Sequence, residues 1–370
     1  MRVLVTGGAG FVGASLALAL KGANLTWDVT ALDNLKRRGS ELGLGRLATG
    51  GIRFLHGDIR VASDLEACGA FDLLLECSAE PSVLAGLDGS PAYVLETNLV
   101  GTIHCLEAAR RNGAGLLFLS TSRVYPIDTL SRLPLREAET RFELAAGDVE
   151  HGIAEDFPLD GARSLYGATK LCSELLITEY VAAYGMPAII DRCGVLAGPW
   201  QMGRVDQGVV LHWIASHVYG WPLQYLGYGG TGKQVRDVLH VADLAELVLA
   251  QIPRLSELRG GIYNVGGGRE VSFSLRELTD LCVELTGNRV PITAVPETRA
   301  ADVPVYITDA RRVREQFSWE PRRSLRDIVR DSVEWVLAHR DELLAVFDPT
   351  GERRRAAAAA RVDPGKTAPP

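Results

Sequence analysis

The sequence predicts an α/β protein, a doubly wound parallel sheet followed by a smaller, mixed α/β C-terminal lobe. Three observations carry this. Short β-branched or leucine-rich runs alternate with helical stretches through the first half of the chain. A cluster of glycines separates the first such run from the first helix. Beyond about residue 195 the alternation weakens, and Gly, Pro, Trp and Tyr become frequent.

The first strand is expected at Arg2–Thr6, a turn at Gly7–Gly10 and a helix at Phe11–Lys21, rich in Ala and Leu. Val29–Leu32 is the second apolar run and leads into Asp33 and Asn34. Further strands are expected at Ile52–Leu55, Leu73–Leu75 and Leu116–Leu119, with a long helix over Tyr93–Arg111 between the last two. A helix over Tyr166–Tyr184 precedes a strand at Pro187–Ile190, closed by Asp191 and Arg192. Alternation at this spacing implies parallel strands joined by right-handed crossovers. Residues 1–194 then form the main domain and 195–345 an interleaved lobe, with helices at Leu275–Thr286 and Leu325–Ala338. The tail from Gly351 to Pro370 has an Arg run, an Ala run and a Pro-rich end, and is expected to be disordered.

The hydrophobic fraction of 47% in 370 residues provides for a sizeable core. A formal net charge of −7 excludes a general nucleic-acid binder, since no basic excess is there to displace counterions from phosphates. Cys68, Cys77, Cys105, Cys172, Cys193 and Cys282 show no CxxC and lie in mostly apolar stretches, so inert buried thiols in a reducing compartment are expected. His212 and His217 are too poorly matched in helical phase to share a metal, and no metal is expected. No apolar stretch approaches the length of a membrane span, and there is no basic leader, so a cytoplasmic protein with no membrane partner is expected.

TGGAGFVG places Gly7, Gly10 and Gly13 at GxxGxxG spacing directly after the first strand. Glycines permit positive φ and a close backbone approach to a pyrophosphate, and the amides of Phe11, Val12 and Gly13 open the helix that would face it. Asp33 lies 20 residues past Gly13, where a carboxylate accepts hydrogen bonds from a ribose diol. This Rossmann-type pattern points to NAD, with neighbouring Asn34 part of the site. Arg37 and Arg38 keep NADP open. Asp58 and Ile59 are candidates for the adenine end, although Asp58 equally fits a helix N-cap.

Tyr166 and Lys170 form YxxxK on one helix face. An ammonium and a nicotinamide charge would lower the phenol pKa from its usual value of about 10, making Tyr166 a base near neutrality. The hydroxyl-rich LSTSRVYP at 119–126 supplies Thr121, placed to hydrogen-bond a sugar hydroxyl or ketone.

Taken in order, the glycine turn, the acidic end of the second strand, Asn98-x-x-Gly101-Thr102, STSRVY and YGATK resemble the extended short-chain dehydrogenase/reductases over roughly residues 1–340. That resemblance implies a nucleotide-sugar epimerase, dehydratase or decarboxylase, with Thr121, Tyr166 and Lys170 as its catalytic triad, and Asn98 as a further cofactor contact. Within the family, DNLKRRGSE, the roughly 40-residue insertion between Tyr125 and Tyr166, VDQG at 205–208 and GGTGKQVRDVLHVADL at 229–244 resemble the epimerases of carbon 2 in CDP-linked deoxyhexoses. This implies substrate contacts for Thr121, Ser122, Arg123, Gln207, Gln234, Arg236 and Arg299, with diphosphate roles for Arg236 and Arg299. His240 follows this segment and fits a structural histidine or a contact to the substrate region. Two departures stand out: Glu76 replaces a usual His in ECSAEPS, where Glu80 also stands for a common Gln, and RCGVLAGPW (Arg192–Trp200) has fewer hydroxyls than the epimerases. Ser122 and Arg123 occupy the places where dehydratases carry acidic residues, which favours epimerisation. A nucleotide-sugar dehydrogenase or ketoreductase and a non-catalytic dinucleotide sensor are the alternatives. A homodimer through helices Tyr93–Arg111 and Tyr166–Tyr184 is also implied, although Leu99, Ile103 and Leu106 equally fit packing on the sheet.

Overall fold

The computed structural model describes residues 1–87, 89–145, 147, 149–203, 207–353 and 355. Seven parallel strands form the main sheet: β1 (Arg2–Thr6), β2 (Asp28–Asp33), β3 (Arg53–His56), β4 (Leu73–Glu76), β5 (Gly115–Thr121), β6 (Ala188–Cys193) and β7 (Gly261–Val265). Their order is β7-β6-β5-β4-β1-β2-β3. The order reverses between β1 and β4, which pair from Val3↔Leu73 to Thr6↔Glu76. Ligands of such sheets sit beyond the carboxyl ends of the strands at this reversal.

Side-chain alternation along the strands feeds two cores. Val3, Val5, Val29, Leu73, Leu75 and Leu117 belong to one face, which helix α1 (Phe11–Ala23) and the helix Val241–Gln251 cover with residues such as Leu16, Leu20, Leu244 and Leu247. Leu4, Leu74, Leu116 and Phe118 belong to the other, with Leu106, Ala109 and Ile177 from the helices α3 (Gly101–Asn112) and α4 (Leu165–Tyr184). The short helix α2 (Leu44–Thr49) follows the loop after β2. A third core gathers Trp213, Ile214 and Val218 with Leu278, Ile328, Val329 and Val333, from helices Val209–Tyr219, Leu275–Thr286 and Leu325–Ala338. Its spine is strand Val235–His240, parallel to Val195–Ala197 and to Val305–Tyr306 and antiparallel to Ser272–Ser274.

Several expectations change in detail. The helix expected over Tyr93–Arg111 is interrupted by a π-turn at Glu96–Val100. There the Asn98 carbonyl accepts hydrogen bonds from Thr102 Oγ1 at 2.9 Å and Ser173 Oγ at 3.0 Å. Such widened turns admit side chains to the helix ladder. The thiols are not uniformly buried: Cys105, Cys193 and Cys282 are, Cys68 and Cys77 are half-buried, and Cys172 is exposed. An α-helical stretch turns every position past solvent in sequence, so an apolar neighbourhood does not decide the face. Of the tail, Gly351 is buried and Arg353 stacks over Trp221, while 356–370 lie outside the described residues, as do Val205 and Asp206 of VDQG. The insertion before α4 packs as a wall: Ile153 is fully buried and the Ala154 carbonyl accepts the Tyr125 hydroxyl at 3.1 Å. No helix among the described residues is long and apolar enough to cross a membrane.

Asp191, on β6, is fully buried; its Oδ1 accepts Gln251 Nε2 at 2.8 Å and its Oδ2 has no partner. Burial pushes its pKa up to about 7, against about 4 in the unfolded chain. Between those values the folded state holds a proton that the unfolded state has lost, so stability falls as pH rises through this window. Asp191→Asn should therefore match the wild type near pH 4 and become the more stable protein by pH 8, measured by urea denaturation across pH. A pH-independent difference would show the carboxyl to be ionised throughout.

Candidate active site

The glycine turn lies where β1 reaches β4. Gly7 has φ +62°, and a Cβ there would fall 2.8 Å from the Cys77 carbonyl oxygen. A Cβ on Gly13 would fall 2.2 Å from the Gly7 oxygen, so α1 touches the turn backbone to backbone. The Ala14 amide already bonds Gly10 O at 2.9 Å. The earlier amides, of Phe11, Val12 and Gly13, open onto a cleft of about 380 Å³ with the positive end of the helix behind them. All three residues line it, with Gly7, Gly10, Asp33, Asn34, Asp58 and Ile59.

Asp33 accepts the Ala9 amide at 3.1 Å and the Leu35 amide at 2.7 Å. Burial raises its pKa and these bonds oppose the rise. Asp58 is not a helix N-cap, since the next helix, Ala62–Glu66, starts from Val61. Its carboxylate instead accepts Asn34 Nδ2 at 2.8 Å and pairs with Arg60 at 2.7 Å. Against the pull of burial, those donors hold its pKa down at about 2. Asn98 is buried away from the cleft wall: Oδ1 accepts the Glu80 amide at 2.7 Å and Nδ2 donates to Glu80 O at 3.0 Å. It holds in place the 77–81 segment, which does line the cleft.

Helix α4 starts from Ser164, whose Oγ accepts the Gly167 amide at 3.2 Å. Gly167 lets the helix press on the STSRVY turn, for a Cβ there would lie 2.1 Å from Arg123 O. This contact sets Tyr166 beside the Thr121 side chain. Burial raises the Tyr166 pKa, and Thr121 and Arg123 pull it back. Arg123 is thus one cation that opposes the rise. Lys170 is 2% exposed, with Nζ 3.7 Å from the Phe118 ring centre. Burial lowers its pKa, opposed chiefly by Glu76 and then by Glu174.

Glu76 is the residue whose part the sequence did not reveal. It ends β4 fully buried, accepts Thr102 Oγ1 at 2.5 Å and leaves Oε2 without a partner. Burial raises its pKa and the Lys170 charge lowers it. The signal was present as an acid closing the apolar run LLLE, but it says nothing of the lysine behind it.

Beyond Tyr166 lies a group of arginines. Arg123 donates to Ala301 O at 3.2 Å and stands within electrostatic reach of Arg236, Asp302, Tyr166 and Tyr228; burial lowers its pKa. Arg236 pairs with Asp302 at 2.6 Å and donates to Val303 O at 2.7 Å. Arg299 lies in the same 299–302 segment, whose Asp302 amide bonds Arg299 O at 3.4 Å. Gln234 Nε2 donates to Leu226 O at 2.9 Å, leaving Oε1 buried without a partner. Asp237 is fully buried and structural, accepting the Gly268 amide at 3.1 Å. His240 Nδ1 accepts the Ala242 amide at 3.0 Å, the N-cap of the following helix. Ser122 adjoins Thr121 half-buried, whereas Gln207 lines the cofactor cleft.

The NAD dependent epimerase/dehydratase family matches residues 3–266. The chain belongs to this family. It is 30% identical over 345 residues to CDP-paratose 2-epimerase of Salmonella typhi, covering 91% of this chain and 99% of that protein. It is 27% identical over 366 residues to dTDP-glucose 4,6-dehydratase of Salmonella typhimurium, covering 92% and 93%. Among solved structures it is similar to UDP-glucose 4-epimerase of Thermus thermophilus in complex with NAD, with TM-score 0.71 and 26% identity over 90% of this chain and 98% of that one.

As in this NAD-dependent family, the cofactor is NAD. The cleft fits it: the turn excludes side chains at Gly7 and Gly13, and Asp33 would repel a 2′-phosphate. The arginines that kept NADP open are turned to carbonyls, Arg37 to Met202 O at 2.6 Å and Arg38 to Ala345 O at 2.9 Å. Gly13→Ala should force the turn open and weaken dinucleotide binding more than about tenfold, equivalent to about 1.4 kcal/mol. The check is the dinucleotide released on denaturing the purified protein, with circular dichroism as control for folding. Full dinucleotide content in the variant would show that the close contact is not needed.

Proposed function

We propose that the protein is an NAD-dependent epimerase of a nucleotide-activated sugar, with carbon 2 of a CDP-linked deoxyhexose as its site of inversion. The observation that carries the reaction type is the group beside Tyr166. Eliminating water needs one carboxyl to protonate the leaving hydroxyl and another group to take the α-proton. After Thr121 this chain has Ser122 and the guanidinium of Arg123, which cannot act as a base near neutrality. Glu80 is near, but its Oε1 accepts the Ser82 amide at 3.2 Å, within its own turn. Epimerisation needs only a reversible hydride acceptor and one proton-exchanging group. The resemblance to CDP-paratose 2-epimerase supports the substrate.

In this reading Tyr166 takes the proton of the sugar hydroxyl and returns it after the ketone has turned over. The Thr121 hydroxyl hydrogen-bonds the same sugar oxygen, and Arg123 stabilises the phenolate. Lys170 orients the nicotinamide ribose, and its charge is balanced from behind by Glu76. Bound NAD supplies the reversible hydride acceptor. Arg236 and Arg299 face the diphosphate of the substrate. A cytoplasmic homodimer joined through α3 and α4 belongs to the same proposal, supported by the outward Val100, Ile103 and Leu175, at 39%, 37% and 61% exposure. Leu106, by contrast, is buried on the sheet.

The test combines cofactor release with turnover of CDP-activated deoxyhexoses in deuterium oxide. One dinucleotide per chain, and inversion without solvent deuterium at the inverted carbon, is the expected result. Free NADH accumulating during turnover would mean a dehydrogenase instead, and loss of water with deuterium uptake a dehydratase. Tyr166→Phe should lower kcat by about 10²–10⁴-fold while the protein still carries its dinucleotide. For Glu76→Gln the direction follows from charge. Losing the carboxylate lowers the Lys170 pKa further, so the alkaline fall in kcat should begin at lower pH. An unmoved pH profile would remove Glu76 from this role.

A further inference from the structure

Among the cations lining the cofactor cleft, Arg46 is set against an aromatic ring, with no ion pair among the described residues. Arg46 lies half-buried on α2 and lines the cleft. Helix α2 leaves directly from beside the glycine turn, since a Cβ on Gly43 would fall 3.0 Å from Ala9 O. The guanidinium carbon is 4.3 Å from the centre of the Trp200 ring, which arrives from the segment after β6. This stack is its only directional contact among the described residues. Burial pushes its pKa down to about 10, and no carboxylate among the described residues pairs with it. A buried charge without a partner is costly and persists where something else supplies the counter-charge.

Trp200 is itself set up as a platform. Its backbone is left-handed, φ +72°, an unfavourable conformation for a bulky side chain. Its ring packs against Trp335 at 5.5 Å and His339 at 5.1 Å. An arginine stacked on an aromatic face keeps its N–H donors at the edge of the guanidinium plane, available for a bidentate acceptor. Nearby, Gln201 lines the same cleft and keeps a buried Oε1 without a partner. The wall shared by these residues also carries the amides of Phe11, Val12 and Gly13, a site built for phosphate oxygens.

We propose that Arg46 is a ligand of the cofactor diphosphate, its plane fixed by Trp200, and that this contact retains the dinucleotide between turnovers. The inference rests on NAD binding alone and not on the epimerase reading. It also ties cofactor retention to the second lobe, because the platform under Arg46 comes from there.

The test reads binding, not turnover. Full-length protein freed of dinucleotide would be titrated calorimetrically with ADP, adenosine and CDP, as wild type, Arg46→Gln, Arg46→Lys and Trp200→Leu. A charged hydrogen bond of ordinary strength predicts ADP binding weakened about tenfold or more by Arg46→Gln. Adenosine affinity should stay within about twofold, Arg46→Lys should recover part of the loss, and Trp200→Leu should fall between. Equal losses for ADP and adenosine would mean a structural role and overturn the proposal. So would unchanged ADP affinity, or a loss confined to CDP, which would place the guanidinium on the substrate. None of these outcomes bears on which reaction the enzyme catalyses.

Discussion

The cleft depends on how closely three pieces of backbone meet at the carboxyl ends of β1 and β4. The Gly7 carbonyl stands where a Cβ of Gly13 would be, and the Cys77 carbonyl where a Cβ of Gly7 would be. Any side chain at these points would separate α1 from the turn or the turn from β4. The amides that open α1 would then no longer converge with Asp33 and the 77–81 segment. The sheet's reversal of order supplies the crevice, and the glycines let its walls come near enough to hold a dinucleotide.

Around that contact the protein arranges buried charge in two ways. Behind the YxxxK face, charges are matched: Glu76 works against the desolvation of Lys170, and Glu174 pairs with Arg192 at 2.8 Å, both nearly inaccessible. Removing one member of such a pair leaves the other uncompensated, typically at a cost of about 3–5 kcal/mol. On the ligand side, Arg123 shares Asp302 with a second arginine, Arg236, and Arg46 has no ion-pair partner among the described residues. Charge balanced from within keeps a group in one place, whereas charge left unbalanced at a cleft wall favours an anion arriving from outside.

Backbone strain is distributed in the same pattern. Of the five non-glycine residues at positive φ among the described residues, Leu35 follows Asp33 and Trp200 carries Arg46, while Tyr228 and Ala301 neighbour Arg123. Each is held by surrounding contacts in a conformation its side chain disfavours. Three of these four, Trp200, Tyr228 and Ala301, come from beyond residue 195. Met202, close to Trp200, accepts Arg37 from the loop after β2, so the segment after residue 195 is tied to that loop over the cofactor cleft.

The first half of the fold was legible from residues alone because its signals are local. A strand of period two, a glycine turn and an acid 20 residues on are set by steric rules that need no distant partner. For the same reason β1 and the helices Leu275–Thr286 and Leu325–Ala338 have the expected bounds, the latter two capped by Ser274 with Glu277 and Ser324 with Asp327. Tertiary structure decided what sequence distance hides. It turned Arg37 and Arg38 to carbonyls, committed Asn98 to Glu80, left Cys172 in solvent and placed Glu76 behind Lys170. It also laid Arg46 on Trp200, 154 positions away in the chain. The physical reason is that a charge's environment is made by whatever packs against it, and packing partners are chosen by the fold and not by neighbours in sequence.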